Sequence, residues 1–184
     1  MSSFLDRLVR QASADPADAD AVTGETETVR RIVARLETLP AERARYLAAF
    51  AYVLARAAES DLDISAAETA VMEGALVDLG GLDTAQAVLV VEMAKFQARA
   101  KFGTEDFLVT REFAGFATDE QKQAVVRACF VVSAADDEIS SDEAQTINEI
   151  AYELGIERPA LNAIREEFVD KFTAIRAARK LARG

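Results

Sequence analysis

The chain has 184 residues, 51% of them hydrophobic, and a formal net charge of −11 at neutral pH. Alanine fills 37 positions and only 8 glycines and 3 prolines interrupt the chain, a composition that favours helix because Ala has the highest intrinsic helix propensity. The absence of histidine and the single cysteine exclude Ser-His-Asp and Cys-His nucleophile systems, His-ligated zinc, haem and di-iron centres, four-cysteine zinc or iron–sulfur sites and an internal disulfide. What remains is oxygen chemistry, so a metal site here would suit Ca²⁺, Mg²⁺ or Mn²⁺.

Strong negative charge argues against nucleic acid as a partner. The longest apolar run, Tyr46 to Ala55, is about half of what a transmembrane span needs. The first residues, MSSFLDRLVR, lack the apolar stretch of a signal peptide. A cytoplasmic protein without a transmembrane segment is therefore expected. Cys129, inside the apolar run Ala128–Val132, is expected to be a buried structural thiol.

In chain order, residues 2–11 can form a short amphipathic helix through Phe4, Leu5, Leu8 and Val9. Residues 12–27 have few large apolar side chains and read as a mobile acidic linker. The folded domain is expected over residues 28–184. Val29, Ile32, Val33, Leu36 and Leu39 share one helix face, and Pro40 ends that helix and opens the next. Tyr46 to Ala57 is apolar nearly all round, which predicts a central, buried helix. A break at SDLDI follows. Ser65-Ala66-Ala67-Glu68 is a capping box for the third helix, which Gly80-Gly81 stops.

Asp83-x-x-Gln86 caps a helix running to about Phe102, and a short helix covers 105–115. Phe96, Phe102, Phe107, Phe113 and Phe116 cluster there, either as core packing or as the wall of a cavity. Thr118-x-x-Gln121 caps a helix to about Ala135. After the break at DDEI, Ser140-Ser141-Asp142-Glu143 opens another, ending at Leu154-Gly155. Pro159 fits the first turn of a last helix carrying Leu161, Ile164, Phe168, Phe172 and Ile175. With no convincing strand, the expected fold is all-α: a single bundle of seven or eight helices.

The bundle is expected to contain a duplication. At an offset of 75 residues, Asp61 falls on Asp136, Ile64 on Ile139, Ser65 on Ser140, Glu68 on Glu143, and Leu79-Gly80 on Leu154-Gly155. The implied units, residues 43–81 and 118–156, are two pseudo-twofold helix–acidic loop–helix repeats. Charge follows the same division. From Ala57 to Ala94, and again from Ala128 to Glu157, there is no Lys or Arg; these windows carry −16, leaving +5 elsewhere. Five of the cations, Lys171, Arg176, Arg179, Lys180 and Arg183, fall in an acid-free end segment. They suit either a helix C-terminus or contact with anionic lipid or an acidic partner.

The repeated motif, AAESDLDISAAE and VSAADDEISSDE, resembles that of the tellurite-resistance protein B (TerB) family, roughly A-x-x-D-G-x-[IV]-[ST]-x-x-E. SSFLDRL and NEIAYELGIERPAL are also similar, and the likeness covers about residues 29–165. Leu62 and Asp137 stand where the family motif has Gly. The resemblance implies an all-helical, pseudo-twofold domain whose clustered acids bind divalent cations, and a non-enzymatic module is expected. It further implies a protein partner in tellurite, metal or envelope stress, often near the membrane, hence a location in the cytoplasm or at the inner membrane face.

Two readings of the acids stay open. As metal ligands, Asp61, Asp63 and Glu68 form one set and Asp136, Asp137, Glu138 and Glu143 the other. Backbone and water would complete six to eight oxygens, with weak affinity on the order of 0.1–1 mM. Alternatively, Glu68 and Glu143 only complete capping boxes, and the loops belong to a metal-free interaction scaffold that binds basic segments. A hydrolase using paired carboxylates is disfavoured, because no separate nucleophile, phosphate loop or oxyanion motif accompanies them.

Overall fold

A computed structural model describes residues 30, 34, 37–58, 66–79, 81–100, 106–135 and 137–182, with the side chains of 66–68, 96–100, 106 and 107 left aside. The expected N-terminal helix and linker over residues 1–27 lie outside the described residues. Eight α-helices are bounded among the described residues: α1 Ala41–Ala57, α2 Ala66–Asp78, α3 Thr84–Ala100, α4 Asp106–Phe116, α5 Asp119–Ser133, α6 Ser141–Glu153, α7 Arg158–Glu167 and α8 Thr173–Leu181. A 3₁₀ turn, Val169–Lys171, separates the last two. No strand occurs among the described residues, so the all-α expectation holds. No described helix is long and apolar enough to cross a membrane.

Two compact units divide the chain at Ala48 and Ala49. In the first, α1 starts directly after Pro40, whose carbonyl accepts from the Ala44 N–H at 3.0 Å, and the Arg43 guanidinium lies 5.3 Å from the Tyr46 ring centroid. In the second, α5 is the hub. It packs against α2, α6 and α7; α2 also meets α3, and α4 meets α6. The α5 face toward these neighbours is Val125, Val126, Ala128, Cys129, Phe130 and Val132, all buried.

Local chemistry sets the helix starts. Thr118 and Gln121 form a reciprocal capping box at α5. Asp83 and Gln86 do the same before α3, at 2.8 and 3.4 Å. At the end of α6, Gly155 takes a left-handed φ of 72° and the Ile156 N–H reaches back to the Ala151 carbonyl at 2.9 Å, a helix stop for which glycine is suited. The equal-length helices α2 and α6 begin and end 75 residues apart, matching the offset of the sequence repeat.

One expected element differs. The single last helix is broken between Phe168 and Phe172. Phe168 stacks on Phe130 with centroids 5.3 Å apart, and Phe172 meets the same ring edge-on at 6.0 Å. A continuous helix would carry them as an i, i+4 pair on one stripe. Instead the backbone at Phe172 turns extended, φ −66° and ψ 121°, so that tertiary packing against α5 overrides the helical periodicity.

Cys129 is fully buried, and burial pushes its thiol up to about 12. The thiolate is the reactive form, so the folded protein is expected to resist a thiol reagent at about pH 8. Labelling should appear only across the urea unfolding transition; prompt labelling of native protein would contradict this burial.

Candidate functional site

The second acidic loop, between α5 and α6, can be built residue by residue. After α5, the Ala135 N–H bonds the Val132 carbonyl and the Asp137 N–H bonds the Ala134 carbonyl, both at 3.0 Å. Asp137 then adopts φ 72°, the one positive φ outside glycine among the described residues. Asp tolerates this conformation better than most L-residues because its short polar side chain bonds locally. The tight left-handed turn therefore forms here with Asp in place of glycine. Ile139 plunges into the core, fully buried, and Ser140 starts α6.

Of the expected ligands of this loop, the three described ones have different partners. Glu143 faces back into the cap: its Oε2 accepts from the Ser140 N–H at 2.7 Å, while the Glu143 N–H donates to Ser140 Oγ at 3.2 Å. Asp137 and Glu138 are exposed and face the C-terminal segment instead. Lys171 Nζ pairs with the Asp137 carboxylate. Arg176 Nη1 pairs with Glu138 Oε1 at 3.2 Å and donates to the Asp137 carbonyl at 3.1 Å. The Lys171 ammonium, through its hydrogen bond and its charge, holds the Asp137 carboxyl below the usual carboxylate range, and Arg176 adds to the effect.

Backbone contacts tie the same two segments. The Ile139 N–H donates to the Lys171 carbonyl at 2.9 Å, and the Thr173 N–H and Oγ1 both donate to the Ile139 carbonyl at 3.1 Å. Phe172, 7% exposed, is the apolar anchor of this strap. The Arg165 guanidinium lies 5.3 Å from its ring centroid.

Asp61, Asp63 and Asp136 lie outside the described residues, and Glu68 is placed only as part of α2. Among the described residues no three carboxylate, thiol or imidazole side chains come together as a metal group. The donors are oxygen, which suits a hard cation, but the described ones are already engaged, Glu143 in its cap and the other two with cations of the chain. Sequence reading missed the strap as their partner. Its signal was present in the acid-free run from Lys171 onward, which complements the loop in charge.

A capping test separates hydrogen bonding from charge. Ser140→Ala is expected to cost about 1 kcal/mol, whereas Glu143→Gln should change stability by less than about 0.5 kcal/mol, because Gln also closes a capping box. Urea denaturation of both variants measures this. An equal, large loss in Glu143→Gln would mean that its charge does more than cap.

Neither the curated proteins nor the solved structures give a match. The family model described as tellurite resistance protein TerB matches residues 47–166. That range holds both acidic sequence motifs and stops before the strap. The chain belongs to the TerB family.

Proposed function

We propose that this chain is a non-enzymatic TerB module whose acidic loops bind divalent cations weakly and dock a protein partner in a tellurite, metal or envelope stress response. It acts in the cytoplasm or at the inner face of the membrane. The observation that carries the reading is the family match, which encloses both D-x-[DE]-I-S-x-x-E loops. Support for two like loops comes from α2 and α6, whose matching bounds agree with a duplicated helix–loop–helix unit. In the second loop the turn glycine of the family motif is replaced without loss of the left-handed turn. A cation there would have to compete with Lys171 and Arg176, which favours weak binding.

The metal-free scaffold is the second reading, and one observation favours it. The occupant of the second loop is a basic segment, bound through both side chains and backbone. A partner's basic segment could dock there in the same way.

Calcium titration of the wild type and of Glu68→Gln/Glu143→Gln separates the readings. A real site gives stabilisation of RT ln(1 + [L]/Kd), about 1.4 kcal/mol at ten times Kd, or roughly 2–6 °C in melting temperature. The double variant should lose it. Matched monovalent salt controls for screening of the net charge. An equal response in both proteins, or none in either, leaves the scaffold reading ahead.

A further inference from the structure

Helix α8 is two-sided in sequence. Ala174, Ala177, Ala178 and Leu181 recur at i, i+3, i+4 and i+7 and so share one face. Arg176, Arg179 and Lys180 follow the same spacing on the opposite face. A surface helix of a globular domain normally turns its apolar stripe toward the core. In α8 the orientation is reversed. The cationic face meets the chain's own acids: Arg176 pairs with Glu138 at 3.2 Å, and Arg179 pairs with Asp170 of the preceding 3₁₀ turn. All four residues of the apolar face are exposed, and no residue of α8 is buried. The helix lies beyond the part of the chain that the family model matches, residues 47–166.

Size and charge argue for what covers this face. The helix has nine residues, a length of about 14 Å. One face of it offers far less than the roughly 800 Å² per partner of a stable protein interface, so a second copy or a soluble partner would need further surface. A bilayer needs no matching shape. Three alanines and one leucine are too little apolar surface to hold a neutral bilayer, so charge must supply the rest. From Lys171 onward the chain carries five cations and no acid. Lys180 makes no ion pair among the described residues. The pairs of Arg176 and Arg179 are exposed, and exposed pairs exchange for another anion at little cost. Arg179 and Lys180 flank the apolar stripe, and their long stems can carry the charge to headgroup level. The net charge of −11 opposes approach, but screening limits its reach to about 8 Å at physiological salt.

We infer that α8 is a contact site for anionic phospholipid. The helix lies along the bilayer surface, with Ala174, Ala177, Ala178 and Leu181 in the headgroup–acyl boundary and Arg179 and Lys180 on lipid phosphates. Binding is reversible and weak, at most on the order of 10⁴ M⁻¹, the strength of a single acyl anchor. The inference rests on the membrane-face location proposed above and on no property of the acidic loops.

The test is co-sedimentation of the full chain, in EDTA, with vesicles of phosphatidylcholine alone or mixed in equal parts with phosphatidylglycerol. The chain should sediment with the mixed vesicles only, and added salt should release it. Arg179→Gln/Lys180→Gln should lower the partition coefficient about thirty-fold, and Leu181→Asp at least about ten-fold. Both act at exposed positions, so the fold is retained. The chain has no tryptophan, so Leu181→Trp adds a lone reporter. Its emission should shift to the blue on the mixed vesicles and be quenched by brominated lipid. Failure to sediment with them, binding undiminished in both variants, or an unshifted indole would overturn the inference. Binding that needs calcium and survives in the variants would overturn it too and credit the acidic loops. A lipid-free dimer lost in Leu181→Asp would assign the face to a second copy, and capture by polyglutamate in place of vesicles to an acidic polypeptide. Because the assay contains EDTA, absence of a calcium response elsewhere in the chain leaves the result standing.

Discussion

Arg56→Met is expected to destabilise the domain by about 3–5 kcal/mol, because it strips the partner from a carboxylate held in the protein interior. Arg56 grips Glu153 with both ends of its guanidinium, Nη1 to Oε2 at 2.5 Å and Nη2 to Oε1 at 3.0 Å. The two side chains are only 12% and 10% exposed. Nη1 also donates to Oγ1 of the fully buried Thr110 at 3.4 Å, and Glu149 approaches at 3.7 Å. Methionine keeps most of the stem's packing, so the loss isolates the charge. For a domain whose total stability is of order 5–15 kcal/mol, the melting temperature should fall by roughly 6–20 °C. Arg56→Met/Glu153→Leu should recover much of this, since a buried pair exchanged for apolar side chains is often neutral or better. Urea denaturation of the two variants and the wild type measures both effects. A single variant within about 1 kcal/mol of wild type would show that the pair is effectively solvated.

That pair shows where sequence reading loses its grip. Helix starts and stops were legible because caps are local: Thr118 with Gln121, Asp83 with Gln86, Ser140 with Glu143, and Gly155 at its left-handed turn all act within a few residues. The charge windows were read correctly along the chain, yet Arg56, at the border of one window, pairs with Glu153 of the other, 97 residues away. Part of the apparent acidic excess is therefore spent inside the fold. The break in the last helix was hidden for a similar reason. Phe168 and Phe172 fit the same stripe as Ile164, and only Phe130 and Ile139, far back in the chain, pull the segment out of register. For the candidate ligands, sequence offered two roles for Glu143, and the hydrogen bonds place it in its capping box. Nothing in a linear pattern marks Lys171 and Arg176 as the neighbours of Asp137 and Glu138.

The strap itself yields the second large effect. Phe172→Ala is expected to cost about 3 kcal/mol, the low end for a buried phenylalanine, and to act on one segment. Phe172 is the strap's buried anchor, whereas α8 has no buried residue and Leu181 is 84% exposed. The ion pairs at Asp137 and Glu138 are exposed and screened by salt, so they cannot hold the strap once the ring is gone. Hydrogen exchange should accelerate at the Ile139 and Thr173 amides, both bonded across the contact, while α5 amides such as that of Val126 stay protected. Lys171→Gln/Arg176→Gln, which keeps the ring, should loosen the same amides far less.

The pH response follows from Asp137. Its folded pKa lies below the unfolded value of about 3.9, so its contribution is complete above that value and is lost as pH falls through the depressed one. Through this group, strap protection should be flat from about pH 8 to 5 and weaken below about 4. Release also removes both cations from the loop. If the loop takes a divalent cation, Phe172→Ala should respond to calcium at lower concentration than wild type. A calcium response identical in the two proteins, with the strap amides already open in the variant, would place any cation away from Asp137 and Glu138.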